Sequence, residues 1–406
     1  MKNLYKYLVN IMEGGASGHM AHPYDYTEFT LRDLKGLIRH LFEGKVEDVT
    51  EKIDGTNIQA TVNKSGEVVF IRNKGNLNSE KGGMTISDMA TKWSDNAKVA
   101  NTFLKAGETI TKVFSTIPNK FFNPDDETRV IVNCECVVAG QTNIMPYAKD
   151  MVDFHDLWIY KFNGKEWIRD NVTKKGLDVI NKACENIDGA QLTPNIIIKK
   201  TEDSQKILVN YIKQLDKIFK EAKCNEQSTL GEWQYSRFVS YCKENADWVL
   251  TSKEGIDLLF KRWFYDDKST NIKKVCEFYP EYSNEVRSVD KSEFKKWVRD
   301  IMKPIDDFFI DLGGAILDLC DGLLNNGIED QVINTLINDV EYLTKEIENG
   351  DNEDLKSKLM YQLSRLSKSN IRSTEGIVFR YKGKLMKLTG SFAPLNQILG
   401  TLKFNR

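Results

Sequence analysis

The chain is short of the residues that most often announce a site. Among its 406 residues are four histidines and eight prolines. Its seven cysteines form no C-x-x-C pair, which excludes a zinc knuckle, and an odd number closes no complete disulfide framework. A reducing, cytoplasmic setting is the expectation. No run of about 18 apolar residues occurs, so no membrane partner is expected. The most apolar stretch, DFFIDLGGAILDLCDGLL, is broken by Asp311 and Asp318 and reads as a buried helix. The opening MKNLYKYLVNIMEGG has too short an apolar run for a secretory signal. There is no internal repeat, no low-complexity segment and no phosphate loop ending in G-K-[ST]. Neither sign of charge dominates, and the net charge of −2 leaves room for a local basic groove.

What is present is an ordinary globular composition, 41% hydrophobic and 29% charged, in a chain longer than one usual domain. Periodicity divides it. Phe29, Leu34, Leu37, Ile38, Leu41 and Phe42 recur at helical spacing up to Gly44. Alternation follows: Ile58, Ala60 and Val62, a turn at NKSG, then Val68 and Phe70 predict a hairpin. TRVIVNCECVVAG (128–140) predicts a central strand, and DLWIYKF with KEWIR a hairpin around Asn163-Gly164. From about Lys174 to Asn370 the period is helical, with helices expected over 208–219, 333–347 and 355–366 and another opened by Pro304. TEGIVFRYKGKLMKLTG then predicts a hairpin around Lys382-Gly383. The expected fold is α+β: a β-rich domain in two parts, 1–170 and 371–406, interrupted by an all-helical domain, 171–370.

Within the β blocks several residues are chemically out of place. Lys52, in TEKIDGTN, stands at the mouth of a strand beside Asp54 and Gly55. A lysine acts as a nucleophile only when neutral, so a site using one must manage its charge. A turn of this composition is by itself a weak signal, equally readable as a charged surface turn. Downstream, Arg72 follows in FIRNKGN, Glu135 interrupts an apolar strand, Glu375 opens EGIVFR and Lys387 lies in KLMKLTG. Carboxylates inside such strands are costly unless paired, so a polar cleft is expected. Trp158, Tyr160 and Phe162 share one strand face, where one ring could stack on a base.

In this order EKIDG, NCECVVAG, DLWIYKF, EGIVFR and LMKL resemble motifs I, III, IIIa, IV and V of the covalent nucleotidyltransferases, the superfamily of polynucleotide ligases and mRNA-capping enzymes, with the ATP-dependent RNA ligases of phage type nearest. The resemblance covers about 48–168 and 371–395 and implies an antiparallel-sheet nucleotidyltransferase (adenylation) domain carrying a helical insertion. It implies that Lys52 attacks ATP and holds AMP. Arg72 and Glu135 would bind nucleotide together with Glu51, Asp54 and Gly55. Tyr160, or Trp158 in its place, would stack on adenine. Glu375 would place a divalent metal, Mg2+ or Mn2+, and Lys387 would neutralise the α-phosphate. The implied activity is an RNA ligase joining 5′-phosphate and 3′-hydroxyl ends, expected as a monomer. A nucleotidyltransferase-fold phage protein that binds without sealing, or a DNA ligase, is the alternative.

Three departures bear on that choice. Motif V normally carries two lysines one residue apart, whereas Leu385 precedes Lys387 by two, and Lys384 is displaced to the other strand face. Too few residues follow Lys387 for an OB-fold, against both DNA ligases and capping enzymes. The insertion is also longer than the family's habit. Its FKRWF and FKKWVR place cations beside aromatics but read more readily as core with a wet face, and Asp307, Asp311 and Asp318 as a solvated helix face. GGASGHMAHPYD (14–25) admits a metal pair from His19 and His22, an active-site flap or a plain turn. His40 and His155 are expected to be packed or surface residues.

Overall fold

The computed structural model describes residues 20–139, 147, 149–245, 252–267, 269–289, 291–323, 360–363, 374–395 and 398. The helix expected over 333–347, most of that over 355–366 and residues 14–19, with His19, lie outside them. Mixed α+β architecture with antiparallel sheets is what the described residues form. Contacts group the chain into two compact units, residues 1–20, 47–197 and 320–406, and residues 21–46 with 198–319.

Alternating sequence builds the first unit. Strands β1 (Glu47–Lys52), β2 (Thr56–Val62), β3 (Val68–Ile71), β4 (Thr128–Val137), β5 (Met151–Phe162), β6 (Trp167–Thr173) and β7 (Ala190–Leu192) come first. After a short pair, β8 (Ile197–Ile198) with β9 (Cys320–Asp321), come β10 (Gly376–Tyr381) and β11 (Lys384–Leu388). One sheet runs β3-β2-β4-β5-β6, with β7 parallel to β5; another runs β1-β10-β11. Each expected hairpin forms, and the β10–β11 turn uses positive φ at both Lys382 and Gly383.

Period-two alternation gives the larger sheet two unlike faces. Ile58, Ala60 and Val62 of β2 and Val130, Val132, Cys134 and Cys136 of β4 meet Phe103, Ile110, Val113 and Phe114 of the helix Ala97–Ser115 in the main core. The opposite face carries Asn57, Gln59 and Thr61 beside Arg129, Ile131, Asn133 and Glu135, pairing across β2 and β4.

The expected boundaries at 170 and 370 give way to packing. Ile180 and Cys184 of the helix Leu177–Cys184 are buried in the main core, so residues 171–197 belong with the sheets. Residues 21–46 belong instead with 198–319: the amides of Leu31 and Arg32 donate to Ser228 and Glu226, and the buried Lys35 amine bridges Asp216 at 2.5 Å and Glu226 at 2.8 Å. Pro304 opens no helix. It lies inside Lys291–Leu317, because Ile301, Ile305, Phe308 and Leu312 continue one buried stripe through it. In that unit Phe260, Trp263 and Trp297 are core, as the bland reading of FKRWF and FKKWVR expects, and Tyr211 donates to the Asp311 carboxylate at 2.8 Å. No described helix is long and apolar enough to cross a membrane.

Candidate active site

Lys52 ends β1 directly opposite Gly376, the first residue of β10. That pairing brings Glu375 to it across 323 positions of sequence, with Nζ 2.9 Å from Oε2. Gly376 has φ +155°, and a Cβ there would lie 2.3 Å from the Leu388 carbonyl oxygen, so the close approach of β10 and β11 requires glycine. Burial pushes the Glu375 carboxyl up to about 7, against the pull of Lys52 and Lys387. Burial also lowers the Lys52 amine, but the Glu375, Glu135 and Asp54 carboxylates outweigh it and hold the amine above its ordinary value. Without ligand Lys52 is therefore a paired ammonium.

Lys387 pairs with Val378 on β10, on the strand face shared with Lys52. Met386 and Leu388 point to the buried side, and Lys384 falls with them by parity, as expected. Leu385 shares the face of Lys387, and its cross-strand partner is Arg380. The Arg380 guanidinium bonds Asp48 at 3.1 Å, and its charge helps hold the Asp156 carboxyl low.

The polar face of the larger sheet supplies the remaining groups. Gly55 packs so tightly that a Cβ would lie 2.8 Å from both the Cys136 carbonyl oxygen and Glu135 Cγ. Its residue type thus answers to Glu135, a neighbour the sequence did not reveal. The Asp54 amide donates to the Tyr147 hydroxyl at 2.8 Å. Burial raises Glu135, partly offset by Lys52 and His155. The Arg72 guanidinium donates to the Asn57 carbonyl and lies 5.5 Å from the Phe103 ring centroid. Glu51 is buried, and alternation along β1 sends it to the face opposite Lys52, so its carboxylate does not join the amine.

Tyr160 and Trp158 do share one face, but each is only 5% exposed, packed with Ile71, Leu77 and Ile131, and the Arg169 guanidinium sits 4.6 Å from the Trp158 ring centroid. The structure brings neither ring to Lys52 with an open face. His155, expected as a packed or surface residue, is partly exposed and lies within electrostatic reach of Glu135. Asn133 pairs with Asp156 and Cys134 with Phe154, so His155 is the extra residue of a bulge. Its Nδ1 lies 2.9 Å from Asp156, and the negative charges of Asp156, Glu135 and Asp153 outweigh burial and raise its pKa.

Two further residues escaped sequence reasoning. Asn57 donates to Asn133 at 2.9 Å and to Glu135 at 3.4 Å; its place two residues after Gly55, on the parity of the polar face, was the signal. Asp153, opposite Glu135, accepts from Thr193 and from Gln191 at 3.2 Å, and burial lifts it to about 7 despite those bonds.

No cluster of three or more His, Cys, Asp or Glu side chains suited to a metal occurs among the described residues. Mg2+ does not require one, since it keeps waters and takes phosphate oxygens beside one or two carboxylates. The Glu375 carboxylate, with Asp54 within electrostatic reach, fits that donor set. Compared with known proteins, the chain matches no family model and no curated sequence.

Proposed function

We propose that this chain is an ATP-dependent RNA ligase working through a covalent lysine–AMP intermediate, its first unit a nucleotidyltransferase domain and its helical residues an insertion. The observation that carries the reading is the meeting of Lys52, Glu375 and Lys387 with Glu135, Asn57 and Arg72, drawn from separate strands of that unit. Nucleotidyl transfer needs a held nucleophile and charge neutralisation around phosphorus, and this set offers both.

In the first step the Lys52 ammonium, 2.9 Å from the Glu375 carboxylate, loses its proton to water. The neutral Nζ attacks the α-phosphorus of ATP; an N–P bond forms and the bond to the pyrophosphate oxygen breaks. A 5′-phosphate oxygen of RNA then attacks that phosphorus and releases Lys52. A 3′-hydroxyl finally attacks the activated 5′-phosphorus and AMP leaves. Lys387 neutralises the transferred phosphate. A bound Mg2+, held by Glu375 and the phosphates, would supply Lewis-acid charge stabilisation. His155 would take the base in place of the buried Tyr160 and Trp158.

Leu385 supports a second reading, binding or self-adenylylation without sealing, because one cation of the implied pair is missing from β11. Incubation with α-labelled ATP and Mg2+ tests both. Wild type takes up acid-labile label and Lys52→Ala takes up none; equal labelling of the variant removes the proposal. Label without joined RNA ends selects the second reading, and joining of nicked DNA alone would redirect the substrate class.

A further inference from the structure

Gln59 lies one step along β2 from Asn57, on the same polar face, with Asn133 as its cross-strand partner on β4 and Ile71 on β3. It is 1% exposed, and neither its amide nitrogen nor its amide oxygen finds a hydrogen-bond partner among the described residues. Leucine would fill the same volume against Ile71 without that cost, since a buried donor or acceptor left unmade is worth about 1–3 kcal/mol against folding. A buried carboxamide with both ends unpaired among the described residues, two residues along β2 from Asn57, has a donor and an acceptor to offer a ligand.

Its surroundings narrow the ligand. Asn133, whose oxygen is already held by Asn57, pairs on its other side with Asp156, next to the bulged His155. Glu135 lies two residues along β4 from Asn133 on the same face, so a base edge that met Gln59 would leave the sugar towards Glu135. A carboxamide offers one donor beside one acceptor. Adenine presents that complement at its N6 amino group with a neighbouring ring nitrogen, whereas the O6/N7 edge of guanine presents two acceptors.

We propose that Gln59 reads the base of the bound nucleotide through the 6-amino group of a purine. The inference rests on the nucleotide-binding part of the reading above and specifies its substrate. It is tested with ATP and with purine riboside triphosphate, which lacks that amino group, each measured by equilibrium binding and by Lys52 labelling. Wild type should favour ATP by roughly 5- to 100-fold, the worth of one good amide–adenine pair. Gln59→Leu should weaken both nucleotides, ATP more, and so lose most of that preference, whereas Gln59→Glu, which keeps an acceptor for the 6-amino group and loses the donor to the ring nitrogen, should weaken both and keep the preference.

A Gln59→Leu variant that keeps the preference while melting higher than wild type would overturn the proposal and mark Gln59 as a structural amide. Wild type binding both nucleotides equally would overturn it as well. If Gln59-dependent preference appears in binding but Lys52 takes no label, base reading stands and the ligase reading falls.

Discussion

At the residue scale, charge decides what Lys52 does. The carboxylates around it favour the ammonium, so the amine becomes nucleophilic only when a proton acceptor and incoming cations change that balance. The same burial that raises Glu375 and Asp153 to about 7 makes stability depend on pH. Both hold a proton in the folded chain well above their ordinary values of 4.5 and 3.8, so the stability they contribute is full at low pH and falls as pH rises through about 7. His155, also raised, acts in the same direction through its own titration. Melting temperature should therefore drop between about pH 5 and about pH 7.5, and Asp153→Asn should flatten part of that slope. An unchanged slope in the variant would remove Asp153 from the explanation.

At the element scale, the junction of β1 and β2 holds the site. Gly55 lets β2 lie against Glu135 on β4, and any Cβ there must push the Cys136 carbonyl or the Glu135 side chain aside. Gly55→Ala should cost about 1–3 kcal/mol by overpacking and slow Lys52 labelling by about tenfold or more. A denaturant titration beside the labelling rate checks both, and full labelling at wild-type stability would show the contact to be slack. The bulge in β5 works likewise by geometry: the one extra residue, His155, bonds Asp156 while Phe154 keeps its place in the core.

At the scale of the whole molecule, the chain order conceals which segments pack together. Residues 21–46 precede the sheets yet pack with 198–319, anchored by Lys35. Lys35→Met should lower the denaturant midpoint only modestly, because Asp216 and Glu226, about half exposed, exchange the lost amine for water. No shift would show that another contact anchors this segment. Much of the architecture was legible in sequence, because alternation at 58–62, 128–137 and 376–388 and turn chemistry at Lys382-Gly383 and Asn163-Gly164 act locally. Lys52, Glu135, Glu375 and Lys387 were likewise legible as charges set against apolar strands. Parity, however, says which residues share a face and not what covers it. Leu77 and Ile71 pack on Tyr160 and Trp158, a one-residue bulge sets His155 beside Asp156, and Gln59 is buried only because its neighbours are where they are. The sequence alone determined the strands and the chemistry available on them. Tertiary structure decided which groups meet, since the Lys52–Glu375 pair spans 323 positions and follows from strand register that no local pattern encodes.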